Sequence, residues 1–598
     1  MTTFPANPAH YRLRLLADLT KALVIPVALL HLSLSWFDVP VPTLYVPLLD
    51  VGFIIVCAVV RVQWRDWTQS REARAHNARQ VPRVVGKWPG NIDVLLWMMK
   101  EFKTSYVGDV YRQLFDEYQC TTLNLRILWQ DNIITMDQEH SKFILATGVQ
   151  HFWRGRAQKE RMETFLGTGI FNRDDEIWKA HRSTARPFFA QDRIRDFEIF
   201  EKYTSRTLSI LNAKAAANEP CEAQDLFARF TLDAASEFLF SQSLDTLDLP
   251  FPVPGKAVLG AKGSAMEGSW GAFAEAFESC QQNITSRARI GRMWPILELF
   301  GDRNEEHAKV IHDWLDPLVK RAIGGHSDTE KDRKDSASLA ERTFIEHLAA
   351  STNDPVVIRD QLLNMLLASR DTAACVLTYI VYLLALHPDV AEKLRAEVLK
   401  YCGPTSPGTF DNFRDMKYMR AVINETLRLF PPVPVNQRET RSAPCTLPPS
   451  DATFATSDRR PFYLPPETIT IYLPILTQRN PALWGEDADE FDPERWIDRK
   501  RLGKYVANPA MYAPFSAGPR ICIGQNYAYN EMSYFLVRLL QQFDRFSLAK
   551  EFQPSGSLPP LEWKLRAGRQ TAEQIWPAAA MTLYVKGGLW VNFHRADQ

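Results

Sequence analysis

What this sequence has little of narrows its function first. Its eight cysteines (Cys57, Cys120, Cys221, Cys280, Cys375, Cys402, Cys445 and Cys522) are scattered. They form no CxxC pair and none of the close spacings of zinc sites, which fits a reduced, cytosol-facing compartment better than a disulfide or zinc scaffold. No sign of charge is in excess, because Lys plus Arg equals Asp plus Glu at 70 each. Overall charge therefore gives no reason to expect nucleic acid as a partner. After Asn91 there is no long Ser/Gly tract, charge block or internal repeat to mark a domain boundary, and no Gly-rich flavin or nicotinamide motif. With 598 residues, 46% hydrophobic and 23% charged, the chain has ample material for one large core.

Two apolar runs stand at the N-terminal end. Ala22 to Phe37 is interrupted by His31 and two serines, and Leu44 to Val60 by Asp50. Each is somewhat short of the ~20 residues that cross ~30 Å of hydrocarbon as a helix. Arg12, Arg14 and Lys21 precede the first run, and a basic stretch from Arg61 to Lys87 follows the second. Under the positive-inside tendency both flanks stay cytosolic, which two spans, or a hairpin dipping into one leaflet, would satisfy. The alternative is that one or both runs pack into a soluble domain. Residues 1–80 are thus expected to be a membrane anchor and 81–598 the catalytic domain. Between them Val81-Pro82-Arg83 to Trp88-Pro89-Gly90 reads as a stiff hinge rather than a helix.

Helical patterns dominate from Asn91 onward, with β-rich stretches at 121–135, 468–473 and 581–593, so the fold class is mainly α with small β-sheets. The most marked helix starts from a cap at Asp354 with Pro355 in its first position and runs to Leu386 before His387-Pro388. Its fully apolar part, Ala373 to Leu386, is too short for a bilayer, so it is read as crossing the middle of the domain.

The strongest chemical signal is Phe515-Ser516-Ala517-Gly518-Pro519-Arg520-Ile521-Cys522-Ile523-Gly524, followed by a helical pattern through Ala528 to Phe543. A cysteine at a helix N-terminus is placed where free N–H groups favour thiolate over thiol. The bland reading is a buried cysteine near a turn. The run nevertheless resembles, without a gap, the haem-binding signature of the cytochrome P-450 superfamily, Phe-x-x-Gly-x-Arg-x-Cys-x-Gly. That resemblance implies a single large haem domain with a long central helix, haem b as cofactor, and Cys522 as its axial metal ligand. Phe515, Arg520, Gly524 and Ala528 are then cofactor-binding candidates.

Four further segments resemble the family in the expected order. Trp178 and Arg182 match Trp-x-x-x-Arg, implying that Arg182, with Arg438 and Arg520, faces the haem propionates. Glu425 and Arg428, joined by Arg495 of Phe491-Asp492-Pro493-Glu494-Arg495-Trp496, imply a structural triad. Ala368-Ser369-Arg370-Asp371-Thr372-Ala373 resembles the oxygen-activation segment, in which an acid-alcohol pair interrupts the helix ladder beside the haem. Asp371 and Thr372 are the implied proton relay, a role a hydroxyl fed by a carboxylate can fill. Ser369 and Ala373 depart from the usual residues there. Val433 and Pro434 resemble the pocket wall.

The finer likeness, in Leu166 to Phe171, Arg370-Asp371-Thr372 and Asn436-Gln437-Arg438, is to the fungal branch that hydroxylates alkanes, fatty acids and related hydrophobic compounds. The resemblance implies a monooxygenase of a hydrophobic small-molecule substrate, fed by NADPH through a separate flavoprotein reductase, on membrane lipid of the endoplasmic reticulum and facing the cytosol. Arg499, Lys500, Arg501 and Lys504 could receive that acidic partner. Two rivals stay open: a reductase-independent peroxide isomerase or dehydratase, and a non-enzymatic haem or ligand carrier.

Overall fold

The computed structural model describes residues 7–190, 197–256, 258–260, 262–329, 343–449 and 458–596. It is mainly helical with four small sheets, as the periodicities require.

The two apolar runs become helices of 29 and 33 residues, Pro8–Trp36 and Thr43–Ala75. At 1.5 Å per residue both exceed a ~30 Å hydrocarbon core. They are joined through the Pro-containing turn after Phe37. Two of the polar residues that interrupt the runs meet, since His31 Nε2 and Asp50 Oδ1 share a hydrogen bond of 2.8 Å. Pairing lowers the cost of placing either group among apolar side chains.

Both helices are fastened to the domain that follows. Arg14 Nε donates to both oxygens of Glu160 at 2.8 and 3.0 Å, and the Tyr11 ring lies 4.5 Å from that of buried Trp294. From the second helix, Asp66 accepts from Arg126 at 2.5 Å and from Arg83 at 3.3 Å, while Gln69 donates to Asp131 at 2.9 Å. The stretch after residue 80 is laid along a sheet edge. Asn124 donates to Pro82 O and Val84 to Asn124 O, at 2.8 and 2.9 Å, and Val81 and Val84 are buried.

The long helix spans Pro355–Leu386, and Asp354 caps it by accepting from the amides of Val356 and Val357. Its most apolar stretch is 83% buried within the protein, so it is a core helix and not a span. Leu362, Leu363, Leu366, Leu377, Ile380 and Leu383 are fully enclosed, each burial contributing about 1.5–3 kcal/mol. It packs along the helix Ala223–Phe240 and touches the helix Gln525–Gln542 that follows the cysteine loop.

The largest sheet has the order Thr122–Asn124, Asn132–Thr135, Ile469–Tyr472, Asn436–Thr440, Phe152–Trp153, with one parallel pairing between the second and third strands. The expected β-rich stretches all contain strands. Asn436–Thr440 was not expected, because Asn-Gln-Arg-Glu-Thr shows no apolar alternation, and neither was Phe543–Leu548, whose first residue continues the preceding helical pattern.

Candidate active site

The loop before the helix Gln525–Gln542 carries Cys522, whose N–H donates to Phe515 O at 2.9 Å and closes the turn. Gly518 is required there: its φ is 65°, and a Cβ would collide with the Leu145 carbonyl. The Cys522 side chain keeps open surface although protein surrounds it on nearly all sides, so it sits at the floor of a recess. Burial pushes its thiol pKa up, and the Gly524 amide and the Arg182 guanidinium only partly offset this. The helix-terminal amide thus acts towards thiolate, as expected, but within the protein alone the desolvation penalty outweighs it. A coordinating metal would reverse the balance, since a coordinating thiol is deprotonated outright. Ala528, one turn into the helix, packs against the main core, and the Phe515 ring lies 5.3 Å from that of Tyr529.

Around this loop the chain gathers guanidinium groups. Arg520 lies 4.3 Å over the Trp178 ring and Arg182 6.0 Å from it, so Trp178, Arg182 and Arg520 are brought together. Arg438, on Asn436–Thr440, is buried. Arg154, not singled out by the sequence, completes the group: burial, then Arg438 and Arg520, push its pKa well down. Burial and Arg438 likewise lower Arg520 to about 10, against the pull of Asp174, which it contacts at 2.9 Å. Buried Arg154 Nε and Arg520 Nη1 have no hydrogen-bond partner among the described residues. Unpartnered guanidinium nitrogens beside a recessed cysteine fit a flat group with acidic arms whose metal takes one sulfur ligand. Haem is such a group. Cys522, Arg154, Arg182, Arg438 and Arg520 are the residues that would hold it.

Glu425, Arg428 and Arg495 meet as well. Arg428 grips Glu425 through two bonds of 2.8 Å, Arg495 reaches it at 3.4 Å, and Trp496 Nε1 adds a bond of 3.0 Å. Burial drives the Glu425 carboxyl up, but the two arginines outweigh it and hold it below its ordinary value. Arg428 also donates to the carbonyls of Gln478, Ala488 and Glu490, pinning the segment that leads to the cysteine loop.

On the central helix, Asp371 and Thr372 do not bond to each other in the structure. Thr372 Oγ1 donates to Ala368 O at 2.6 Å. Asp371 turns to Lys262 at 3.2 Å and Arg370 at 2.7 Å, and accepts from Thr582 at 3.3 Å. Burial raises its carboxyl pKa, yet Lys262 and Arg370 prevail and the net direction is down. The helix is continuous through this segment, which corrects the expected break in its ladder. The threonine hydroxyl bonds to a carbonyl one turn back without interrupting the helix, and the aspartate is occupied by Lys262, Arg370 and Thr582.

Ala368 and Thr372, with Val433 and Pro434, line a cavity of about 760 Å³ that is mostly apolar. Its other walls include Phe171, Leu367, Trp576, Pro577 and Met581. A second concavity adjoins Phe515 and Ile521 and is lined by Lys142, Arg414, Lys417, Arg420 and Arg499, with no acidic residue among the described ones. Of the basic residues expected on this face only Arg499 lines it. Arg501 is occupied by Asp487 and Asp492, at 3.1 and 2.6 Å. The three-residue spacing of Arg414, Lys417 and Arg420 was the signal available for the rest.

Comparison with known proteins agrees with this geometry. The family model described as cytochrome P450 matches residues 89–560. The chain is 34% identical to cytochrome P450 52A13 of Debaryomyces hansenii over 446 residues, 74% of this chain and 81% of that protein. It is 33% identical to cytochrome P450 52-E3 of Starmerella bombicola, covering 78% and 86%. A longer match, at 30% identity and 92% and 95% coverage, is to the cytochrome P450 monooxygenase pvhE of Talaromyces variabilis.

Proposed function

Since this chain belongs to the cytochrome P450 family and is a monooxygenase of that family, we propose that it hydroxylates a C–H bond of an apolar substrate at a membrane surface. The substrate class is alkanes, fatty acids or aromatic compounds. Electrons come from NADPH through a separate flavoprotein reductase. The observation that carries this reading is the juxtaposition of a recessed cysteine and its arginine cluster with an apolar cavity roofed by Ala368 and Thr372.

Haem held by Cys522 would supply the chemistry of O2 reduction and oxygen-atom transfer. The chain's own side chains do the rest. Arg154, Arg182, Arg438 and Arg520 bind and orient the cofactor by its acidic arms, and Glu425, Arg428 and Arg495 fix the approach to the cysteine loop. Thr372 presents a hydroxyl to the cavity, and Asp371 holds the charge that orders the proton route behind it. The basic concavity beside Phe515 receives the acidic reductase. The two N-terminal helices form the anchor, with the catalytic domain on the cytosolic side of the endoplasmic reticulum, where both basic flanks remain.

Reconstitution tests this. With NADPH and a flavoprotein reductase, the holoenzyme should hydroxylate members of a panel of alkanes, fatty acids and aromatics, and with NADPH alone it should oxidise none. Turnover by the lone chain, or none with the reductase, contradicts the proposal.

A further inference from the structure

The cavity over Thr372 has an unusual charge pattern. Among the described residues none that lines it is Asp or Glu, while Lys103, Arg154, Arg161, Arg289 and Lys586 all contribute to its wall. Arg154 belongs to the group beside the cysteine loop, and Arg161 feels Glu439 and Glu160. Arg289 is different. It is half-buried at the end of the helix Gly268–Ile290, and among the described residues no carboxylate lies within ion-pair distance of it. Its guanidinium stands 4.7 Å from the Phe102 ring, and the polar groups that influence it are the phenols of Tyr111 and Tyr584. Burial pushes its pKa down, with no carboxylate to oppose this.

The position of Arg289 along the cavity can be placed from the same helix. Eight residues earlier, Gln281 accepts from Lys262 Nζ at 2.9 Å, and Lys262 contacts Asp371. Arg289 is therefore displaced by about 12 Å along the helix axis from the level of the Asp371-Thr372 segment. An apolar cavity whose wall carries a guanidinium with no described carboxylate partner, at a distance from the reacting end, is a layout that orients an amphiphile, because a few placed polar groups set the orientation while the apolar walls supply affinity. A guanidinium that lines the same cavity as two phenols offers groups that match a carboxylate in charge and hydrogen bonding.

We infer that Arg289 is the carboxylate-binding residue for a long-chain acid substrate, so that this cavity takes fatty acids in preference to alkanes and presents the end of the chain remote from the carboxyl to the reacting centre. This rests on the apolar-substrate reading given above. Tyr111 and Tyr584 are the hydroxyls placed to share the carboxylate.

The test compares dodecanoate, methyl dodecanoate and dodecane with the holoenzyme and its R289M and R289K variants. Binding is measured by equilibrium dialysis of the labelled compounds at neutral pH, where the acid is ionised. The wild type should bind dodecanoate at least about tenfold tighter than the methyl ester. R289M should lose about tenfold to a hundredfold on dodecanoate alone, as expected for a hydrogen-bonded charge partner, and R289K should recover part of it. Unchanged dodecanoate affinity in R289M, or an equal fall for ester and alkane, overturns the assignment while leaving the apolar-substrate reading standing. If the wild type binds none of the three, that underlying reading fails and the inference falls with it.

Discussion

The carboxylate of Asp371 faces the ammonium of Lys262 at 3.2 Å, while the Thr372 hydroxyl next to it in sequence is committed to Ala368 O. Asp371 is therefore held ionised, and a proton on its way to Thr372 has to come through the Lys262, Gln281 and Thr582 side of the network or through water. Lys262→Met should raise the Asp371 pKa by removing its strongest charge partner. The product formed per NADPH should fall and the pH–rate profile should shift to higher pH, with haem content unchanged. A wild-type pH profile in Lys262→Met would show that the pair is structural only.

Thr372→Ala should leave substrate binding nearly intact and divert electrons to hydrogen peroxide. A positioned proton donor contributes about 10²- to 10⁴-fold. Water admitted to the cavity replaces the hydroxyl in part, so the loss of product rate should lie at or below about 10²-fold. NADPH consumed, peroxide and product are measured in one reconstituted reaction, and an unchanged product-to-NADPH ratio would remove Thr372 from the proton route.

Glu531, one turn beyond Ala528, is buried with neither carboxyl oxygen hydrogen-bonded among the described residues. Burial alone raises its pKa well above the ordinary carboxylate value. A raised acid stabilises the fold fully below the unfolded pKa of about 4.3, and that contribution is lost as pH rises through the folded value. Glu531→Gln should therefore gain on the wild type in thermal stability as pH is raised from 5 to 9 (about the accessible range). Parallel stability curves would mean that Glu531 titrates normally.

How much of this was legible depends on how local each feature is. The cap at Asp354, the helix to Leu386 and the turn around Cys522 are set by neighbours in sequence, and the chain adopts them as its residues dictate. Lys262 is 109 residues from Asp371, and Arg154 reaches Arg438 and Arg520 only through sheet packing. No periodicity marks such contacts. The fastening of the anchor helices to the domain was equally hidden, because Arg14 and Glu160 each read as an ordinary surface charge until folding buries them together.

That fastening has a measurable consequence. Deleting residues 1–80 should release the protein from membranes while haem is retained, since every residue proposed to hold haem follows that point. It also strips Arg14 from buried Glu160, leaving Arg156 at 3.5 Å as its remaining ion-pair partner among the described residues, at a cost of up to about 3 kcal/mol. Adding Glu160→Gln to the truncated chain should recover part of the lost thermal stability. Loss of haem on truncation would place the N-terminal helices inside the catalytic core.

The central claim is that Cys522 is the protein's ligand to haem iron. The most direct measurement is the absorption spectrum of the reduced, carbon-monoxide-bound protein for the wild type, Cys522→Ser and Cys445→Ser, with haem content determined in parallel. The account predicts the red-shifted Soret band of thiolate ligation in the wild type and in Cys445→Ser, and its disappearance in Cys522→Ser. A normal thiolate band in Cys522→Ser would contradict it.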